Sequence, residues 1–168
     1  MYCHLASPQS SSVSMSALDL MACELPSRLV YQPVMQTASA FSHDANPWRR
    51  RAALQAVGIL AEGCGDQVRE GLTELVAFVA QGAQDPDSKV RDAACFTIRE
   101  FAIHLEPHIS EHHAVILPAI FNCLDNAAGE KVQEMAGMAL ESFCESLEEL
   151  ILPYLAPLMD KLVGYVRI

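Results

Sequence analysis

Positive charge, aromatic side chains and long apolar runs are all scarce in this 168-residue sequence. Lys and Arg number 11 against 21 Asp and Glu, which gives a formal net charge of −10. Such a charge repels the phosphates of nucleic acids, so the composition argues against direct nucleic-acid binding. A basic protein partner suits the charge better, although a solvated acidic surface needs no partner at all.

Two further absences bear on where the protein works. No apolar run reaches the roughly 18 residues needed to span a bilayer, so we expect no membrane insertion. The first residues, MYCHLASPQSSSVS, lack the charged and apolar regions of a signal peptide, and we interpret residues 1–13 as a disordered lead.

The six cysteines form no CxxC pair. Several lie in apolar stretches, which indicates reduced, buried thiols in a cytosolic or nuclear protein.

An internal repeat is the strongest positive feature. A shift of 41 residues places RRAALQAVGIL (50–60) on RDAACFTIREF (91–101), and a further 42 reaches QEMAGMALESF (133–143). The apolar positions coincide, and the same shifts align a second apolar block that contains Val68, Ile109 and Ile151. Two apolar blocks that repeat together over three units predict stacked helix pairs, because neither helix can bury its apolar face alone.

The repeat defines the units of the chain. Apolar residues recur at helical spacing in each block, and the helices should break near residues 63–66, 104–109 and 146–150. We therefore expect repeats at 46–84, 85–126 and 127–168, and a less regular one at 14–45. Pro33 should kink the second helix of that irregular unit or delay its start. The predicted fold is an all-α solenoid, a right-handed stack of antiparallel helix pairs.

The arginines at the start of the repeats are interpreted as structural. Arg50 aligns with Arg91, and an aspartate stands six residues before each of them. The third unit has Gln133 at the arginine position, and its nearest aspartate is eight residues away. A turn aspartate and a helix arginine can pair within or between units, which predicts a ladder formed by Asp44, Arg50, Asp85, Arg91 and Asp125. Arg49 and Arg51 should be solvated, and Trp48 should pack over the start of its helix.

The stretch DPDSKVRDAA (85–94), a turn aspartate followed by a Val-Arg pair, resembles a HEAT repeat. Together with NPWRRRAALQAVGILAEGCGDQV (46–68), it resembles the importin-β (karyopherin-β) nuclear transport receptors, over residues 14–168 and within the middle of their arrays. Arg49 departs from the usual valine, and Gln133 from the usual arginine. The resemblance implies a HEAT-repeat α-solenoid without enzymatic activity that carries basic cargo, such as histones or ribosomal proteins, from cytoplasm to nucleus through the nuclear pore. It also implies release by the GTPase Ran and binding of phenylalanine-glycine nucleoporins.

Candidate partner residues follow from that resemblance. The second helices should line the concave wall, where Glu70 and Glu74, one helical turn apart, could hold a lysine or arginine; the alternative is a solvated helix face. Nucleoporin slots between first helices could be lined by Trp48, Phe96 and Met138, which are more commonly simple packing residues.

The sequence offers less support for other functions. Pro107 separates His104 from the later histidines, and the chain has no His-Glu dipeptide, no G-x-S-x-G and no phosphate-binding glycine loop. We therefore expect no metal site, no cofactor and no enzymatic activity, which disfavours a HEAT metalloenzyme. The main alternative is a generic HEAT scaffold associated with a phosphatase, with microtubules or with chromosomes.

Overall fold

A computed structural model describes residues 12–126 and 129–166, and within those ranges the chain is helical and contains no strand. The all-α prediction is confirmed. The α-helices are α1 (Ser12–Glu24), α2 (Ser27–Phe41), α3 (Pro47–Gly63), α4 (Gly65–Glu70), α5 (Leu72–Gly82), α6 (Ser88–His104), α7 (His113–Asp125), α8 (Glu130–Leu147) and α9 (Leu155–Val166). Short 3-10 helices, His108–His112 and Glu148–Tyr154, precede α7 and α9. The predicted lead lies outside the described residues up to residue 11, and α1 begins at Ser12.

The first helices of successive units form the spine of the solenoid. Helix α3 packs against α1 and α2 on one side and against α6 on the other, and α6 packs in turn against α8. Helices α3, α6 and α8 end at Gly63, His104 and Leu147, so the three predicted breaks are confirmed. Each unit therefore presents a long first helix to its neighbours on both sides.

The starts of α3 and α6 share one capping arrangement. Asn46 accepts a hydrogen bond from the Trp48 amide at 3.0 Å, and Asp87 accepts one from the Lys89 amide at 2.8 Å. Such caps satisfy amides that the first helical turn leaves without a partner. Pro47 occupies the first helical position, where its missing N–H costs nothing.

The aligned apolar positions meet in one continuous core. Their side chains are buried in all three units: Ala53, Ala94, Ala136, Val57, Ile98, Leu140, Leu60, Phe101 and Phe143. The match is less complete in α9, the second helix of the third aligned unit. Leu162 is exposed there, although its counterparts Val79 and Ile120 are buried. No described helix beyond α9 covers Leu162.

The second helices are less regular than the repeat suggests. The sequence predicts one continuous helix through residues 68–79, but the chain is interrupted at Gly71, between α4 and α5. In the next two units a 3-10 helix occupies the place of α4. Glycine weakens a helix because it has the greatest backbone freedom to lose, and here it stands where two short helices meet.

Helix α2 differs from the expected late start, because it begins at Ser27 and runs through Pro33. The ring of Pro33 removes the hydrogen bond that the Leu29 carbonyl would otherwise accept. Leu29 and Pro33 are both exposed, so water can hydrate that carbonyl. The structure therefore tolerates the proline inside the helix.

The described cysteines form no disulfide with one another. Cys64, Cys95 and Cys123 are buried, and Cys144 is half-buried. Burial raises the pKa of the Cys64 and Cys144 thiols, which keeps them protonated and unreactive. Cys23 is different, because its side chain is exposed.

Candidate functional site

The best-formed contact between successive units joins Arg50 of α3 to Asp85, which precedes α6. The Nε of Arg50 donates to Asp85 Oδ2 at 2.7 Å, and Nη2 donates to Oδ1 at 2.9 Å. The remaining Nη1 donates to the carbonyls of Asp44 and Ala45. Both charged side chains are more than four-fifths covered. A two-bond guanidinium–carboxylate contact fixes orientation as well as distance.

The pKa values of this pair agree with the geometry. Burial alone would raise the pKa of Asp85, but hydrogen bonds from Arg50 and from the Asp87 amide hold it below the ordinary value. The hydrogen bond to Asp85 raises the pKa of Arg50. Both groups therefore remain charged at neutral pH.

Arg91 is buried but has a different set of partners. Its Nη1 donates to the carbonyls of Asp85 at 2.8 Å and Pro86 at 3.1 Å, and Nη2 donates to the carbonyl of Asn126 at 2.9 Å. No described carboxylate accepts a hydrogen bond from Arg91, and its Nε is buried without a partner among the described residues. Asp125 pairs instead with Lys161 of α9. Arg91 therefore bonds through backbone carbonyls, including that of Asn126 at the end of the second aligned unit, whereas Arg50 connects the first and second aligned units through the carboxylate of Asp85.

The carboxylate of Asp44 forms its hydrogen bonds close by, within the turn before α3 and the first turn of that helix. Its carboxylate accepts from the Asn46 amide and from Arg49, both at 2.8 Å. The Asn46 amide, followed by Arg49, holds the pKa of Asp44 below its ordinary value. Arg49 also lies over the ring of Phe41, with 5.3 Å between the guanidinium carbon and the ring centroid. Arg49 therefore has partners but remains solvated, as the sequence predicts, with 57% of its side-chain surface exposed.

The exposed indole of Trp48 lies against two cationic side chains, those of Arg51 and Lys89. The indole is 55% exposed. The guanidinium carbon of Arg51 lies 5.6 Å, and the Lys89 Nζ 5.2 Å, from its ring centroid. Arg51 is thus placed on the indole, whereas the sequence predicts a solvated side chain. Phe96 is half-buried and Met138 exposed.

Glu70 and Glu74 are both exposed, but they do not lie on one continuous helix. Glu70 ends α4 and Glu74 lies in the first turn of α5, with Gly71 between the two helices. The expectation that they stand one helical turn apart is wrong for that reason. Burial, and then the charge of Glu70, raises the pKa of Tyr31, which places Glu70 beside α2.

The four histidines near the second break do not form a common site. His104 ends α6, and its Nε2 lies 3.6 Å from Glu100 Oε2 and 4.0 Å from Glu62 Oε2. His113 begins α7, where its Nδ1 lies 2.9 Å from the hydroxyl of Tyr154. His108 is exposed.

A different cluster, at Asp19, Cys23 and Glu62, does bring ligating atoms together. The sequence gives a partial indication of this cluster. Asp19 and Cys23 are four residues apart, as are Glu100 and His104, and residues at this spacing are neighbours on one helix face. The approach of Glu62 on α3 to Asp19 and Cys23 on α1 could not be predicted from the sequence in this way.

Comparisons with known proteins now give the family. A HEAT-like repeat family matches residues 47–101. The chain is 31% identical over 156 residues to "Probable importin subunit beta-4" of Schizosaccharomyces pombe, covering 92% of this chain and 14% of that protein. This chain is a homologue of the importin-β family.

Solved structures agree with this assignment. Kap121p bound to RanGTP superimposes with a TM-score of 0.85 at 26% identity, over 95% of this chain and 16% of that one. Kap121p bound to Nup53p gives 0.87 at 26% identity, over 96% and 16%. The HEAT-repeat α-solenoid of the importin-β homologue is thereby confirmed. The chain spans 14% of the length of the importin relative and 16% of the Kap121p chains.

These relatives are transport receptors, which are not enzymes. Among the described residues, no helix is both long enough and apolar enough to cross a membrane.

Proposed function

We propose that the chain is a binding segment of a nuclear import receptor that carries basic protein cargo, such as histones or ribosomal proteins, through the nuclear pore. Similarity to the importins supports the receptor class. The net charge of −10 supports a basic cargo, because opposite charge speeds encounter and selects partners. The receptor would then move between cytoplasm and nucleus.

The cargo contact is assigned to Glu70 and Glu74. Both side chains are exposed, and among the described residues neither forms a salt bridge, so each could receive a lysine or arginine. The matching positions in the later units add little charge: Val115, Pro153 and Pro157 are apolar, and Glu111 alone is acidic. The electrostatic contact therefore concentrates on the unit that contains α4 and α5.

Two further partners are proposed for the receptor as a whole. Structures of Kap121p bound to RanGTP and to Nup53p support release by Ran-GTP and a nucleoporin contact. In this chain the exposed Trp48 is the residue we assign to a nucleoporin phenylalanine, because a large indole in water offers apolar area at small cost.

The cargo proposal is tested by reversing the two charges. The variant Glu70→Lys/Glu74→Lys should bind a histone-tail peptide more weakly than the parent chain, and the loss should shrink as salt rises because exposed charges are screened. Isothermal titration at two salt concentrations measures both effects.

A matched control keeps the charge change but moves it to α8. The variant Glu134→Lys/Glu141→Lys alters two exposed carboxylates there by the same amount. We expect it to retain more affinity than the α4–α5 variant. Equal losses in the two variants would show that only net charge matters, and unchanged affinity in the first would reject Glu70 and Glu74 as the cargo contact.

A further inference from the structure

The C-terminal halves of α1, α3 and α6 carry side chains of three successive units that can ligate a metal. Asp19 and Cys23 come from α1, Glu62 from α3 and His104 from α6. One ligand atom each from Asp19, Cys23 and Glu62 lies within 4.8 Å of the other two. The Nε2 of His104 lies 4.0 Å from Glu62 Oε2. A sulfur and two carboxylate oxygens thus lie close together, and the His104 nitrogen lies beside one of these carboxylates, that of Glu62.

The close approach of α1 to α3 produces this convergence. Gly63 ends α3, and a Cβ built there would lie 2.1 Å from the carbonyl oxygen of Ala22. Only a residue without a side chain allows the two backbones to meet so closely. Ala22 precedes Cys23, and Glu62 precedes Gly63, so the same contact brings the thiol and the carboxylate together.

The cluster is also crowded with negative charge. The carboxylates of Glu100 and Glu62 lie 3.6 Å and 4.0 Å from the same atom, the Nε2 of His104, and a carboxylate oxygen of Asp19 lies within 4.8 Å of one from Glu62. Crowded carboxylates repel one another, and a bound cation removes that repulsion. Glu100 itself accepts a hydrogen bond from Arg99 at 2.9 Å.

We propose that Asp19, Cys23, Glu62 and His104 form a binding site for Zn²⁺. Some point lies within about 2.8 Å of all three ligand atoms of Asp19, Cys23 and Glu62, because none of the separations exceeds 4.8 Å. Zinc bonds to sulfur and oxygen are about 2.0–2.3 Å long, so side-chain shifts of less than about 1 Å would complete these three bonds. His104, whose Nε2 lies 4.0 Å from Glu62 Oε2, would turn toward the ion to supply the fourth. A mixed set of thiolate, imidazole and carboxylates suits Zn²⁺ better than Mg²⁺ or Ca²⁺, which prefer oxygen alone.

Binding would couple three units through one ion. The Cys23 thiol loses its proton to solvent as the thiolate–zinc bond forms, and the carboxylates and neutral imidazole each donate a lone pair. Since the ligands belong to α1, α3 and α6, the ion would resist their separation. The site therefore adds a metal-dependent crosslink to the spine of the solenoid, independently of any cargo role.

Direct metal binding tests the proposal. Zn²⁺ should bind the 168-residue protein with one ion per chain, measured by competition with a chromophoric chelator, and should raise its melting temperature. Co²⁺ should give the visible absorption of a tetrahedral site and a thiolate-to-cobalt charge-transfer band. Cys23→Ser should abolish that band and, like His104→Gln, should weaken zinc binding by at least about tenfold.

The control is His108→Gln, because His108 is exposed and lies outside the cluster. It should leave zinc affinity and the cobalt spectrum unchanged. Circular dichroism verifies that each variant retains the parent helicity. Absence of one-to-one zinc binding in the parent protein, or a cobalt band that survives Cys23→Ser, would overturn the proposal. Equal weakening by His104→Gln and His108→Gln would remove His104 from the site.

Discussion

At the scale of single residues, Arg50 and Arg91 occupy equivalent positions but hold different partners. Asp85 lies three residues beyond the end of α5, where it reaches back to Arg50. Asp125 is still the last residue of α7, where it meets Lys161. The alignment could predict the pairing of Arg50 with Asp85 because both units keep the same spacing. It could not predict the partner of Asp125, because that carboxylate is still part of α7 and stands five residues before the start of α8, whereas Asp85 stands three residues before the start of α6.

The buried guanidinium of Arg91 leads to a prediction about stability. Arg91→Ala should lower the free energy of unfolding by about 1–3 kcal/mol, because the carbonyls of Asp85, Pro86 and Asn126 lose their donor. Urea unfolding followed by circular dichroism measures the change. Arg49→Ala, at an exposed side chain, is the control and should cost less. An Arg91 variant as stable as the Arg49 variant would contradict a structural role.

At the scale of helices, the repeat predicts where the first helices end but not how the second helices are built. The first helices bury aligned residues on both sides, so their apolar spacing is strict and visible in the sequence. The second helices have an exposed side, which leaves their pattern weaker. The interruption at Gly71 and the two 3-10 helices consequently escaped prediction. The metal-ligating cluster escaped it too, because its members come from three helices as much as 85 residues apart (Asp19 to His104).

Gly63, at the end of α3, and Gly71, between α4 and α5, should respond very differently to replacement by alanine. Gly63→Ala should lower the free energy of unfolding by at least about 2 kcal/mol, because the new methyl group would collide with the backbone of α1. Gly71→Ala should change it by less than about 1 kcal/mol, since a Cβ there meets only the Tyr31 hydroxyl, 3.9 Å away.

Hydrogen exchange distinguishes the cause from general destabilisation. In Gly63→Ala the amides of α1 should exchange faster than those of α6, because the collision separates α1 from α3 first. In Gly71→Ala both helices should exchange as in the parent. Unchanged protection of α1 in the Gly63 variant would show that the close contact with Ala22 is not required.

At the scale of the whole molecule, the acidic surface and the apolar face of α9 have opposite effects on solubility. A net charge of −10 keeps copies of the chain apart. On α9 and the 3-10 helix before it, large apolar side chains are exposed instead: Leu152, Leu155, Met159, Leu162 and Val163. Contiguous exposed apolar surface favours association with another such surface.

We expect the 168-residue protein to self-associate through this face, increasingly so at high salt, where charge repulsion is screened and apolar contact is not. The variant Leu155→Lys/Met159→Lys places two charges one helical turn apart within the face and should shift the protein toward monomer. Sedimentation velocity at two salt concentrations measures the change.

The control is Ala156→Lys/Asp160→Lys, on the same helix at exposed positions outside the large apolar set. It should leave association closer to that of the parent. A parent chain that remains monomeric at both salts would contradict the expectation, because the acidic charge would then outweigh the apolar face.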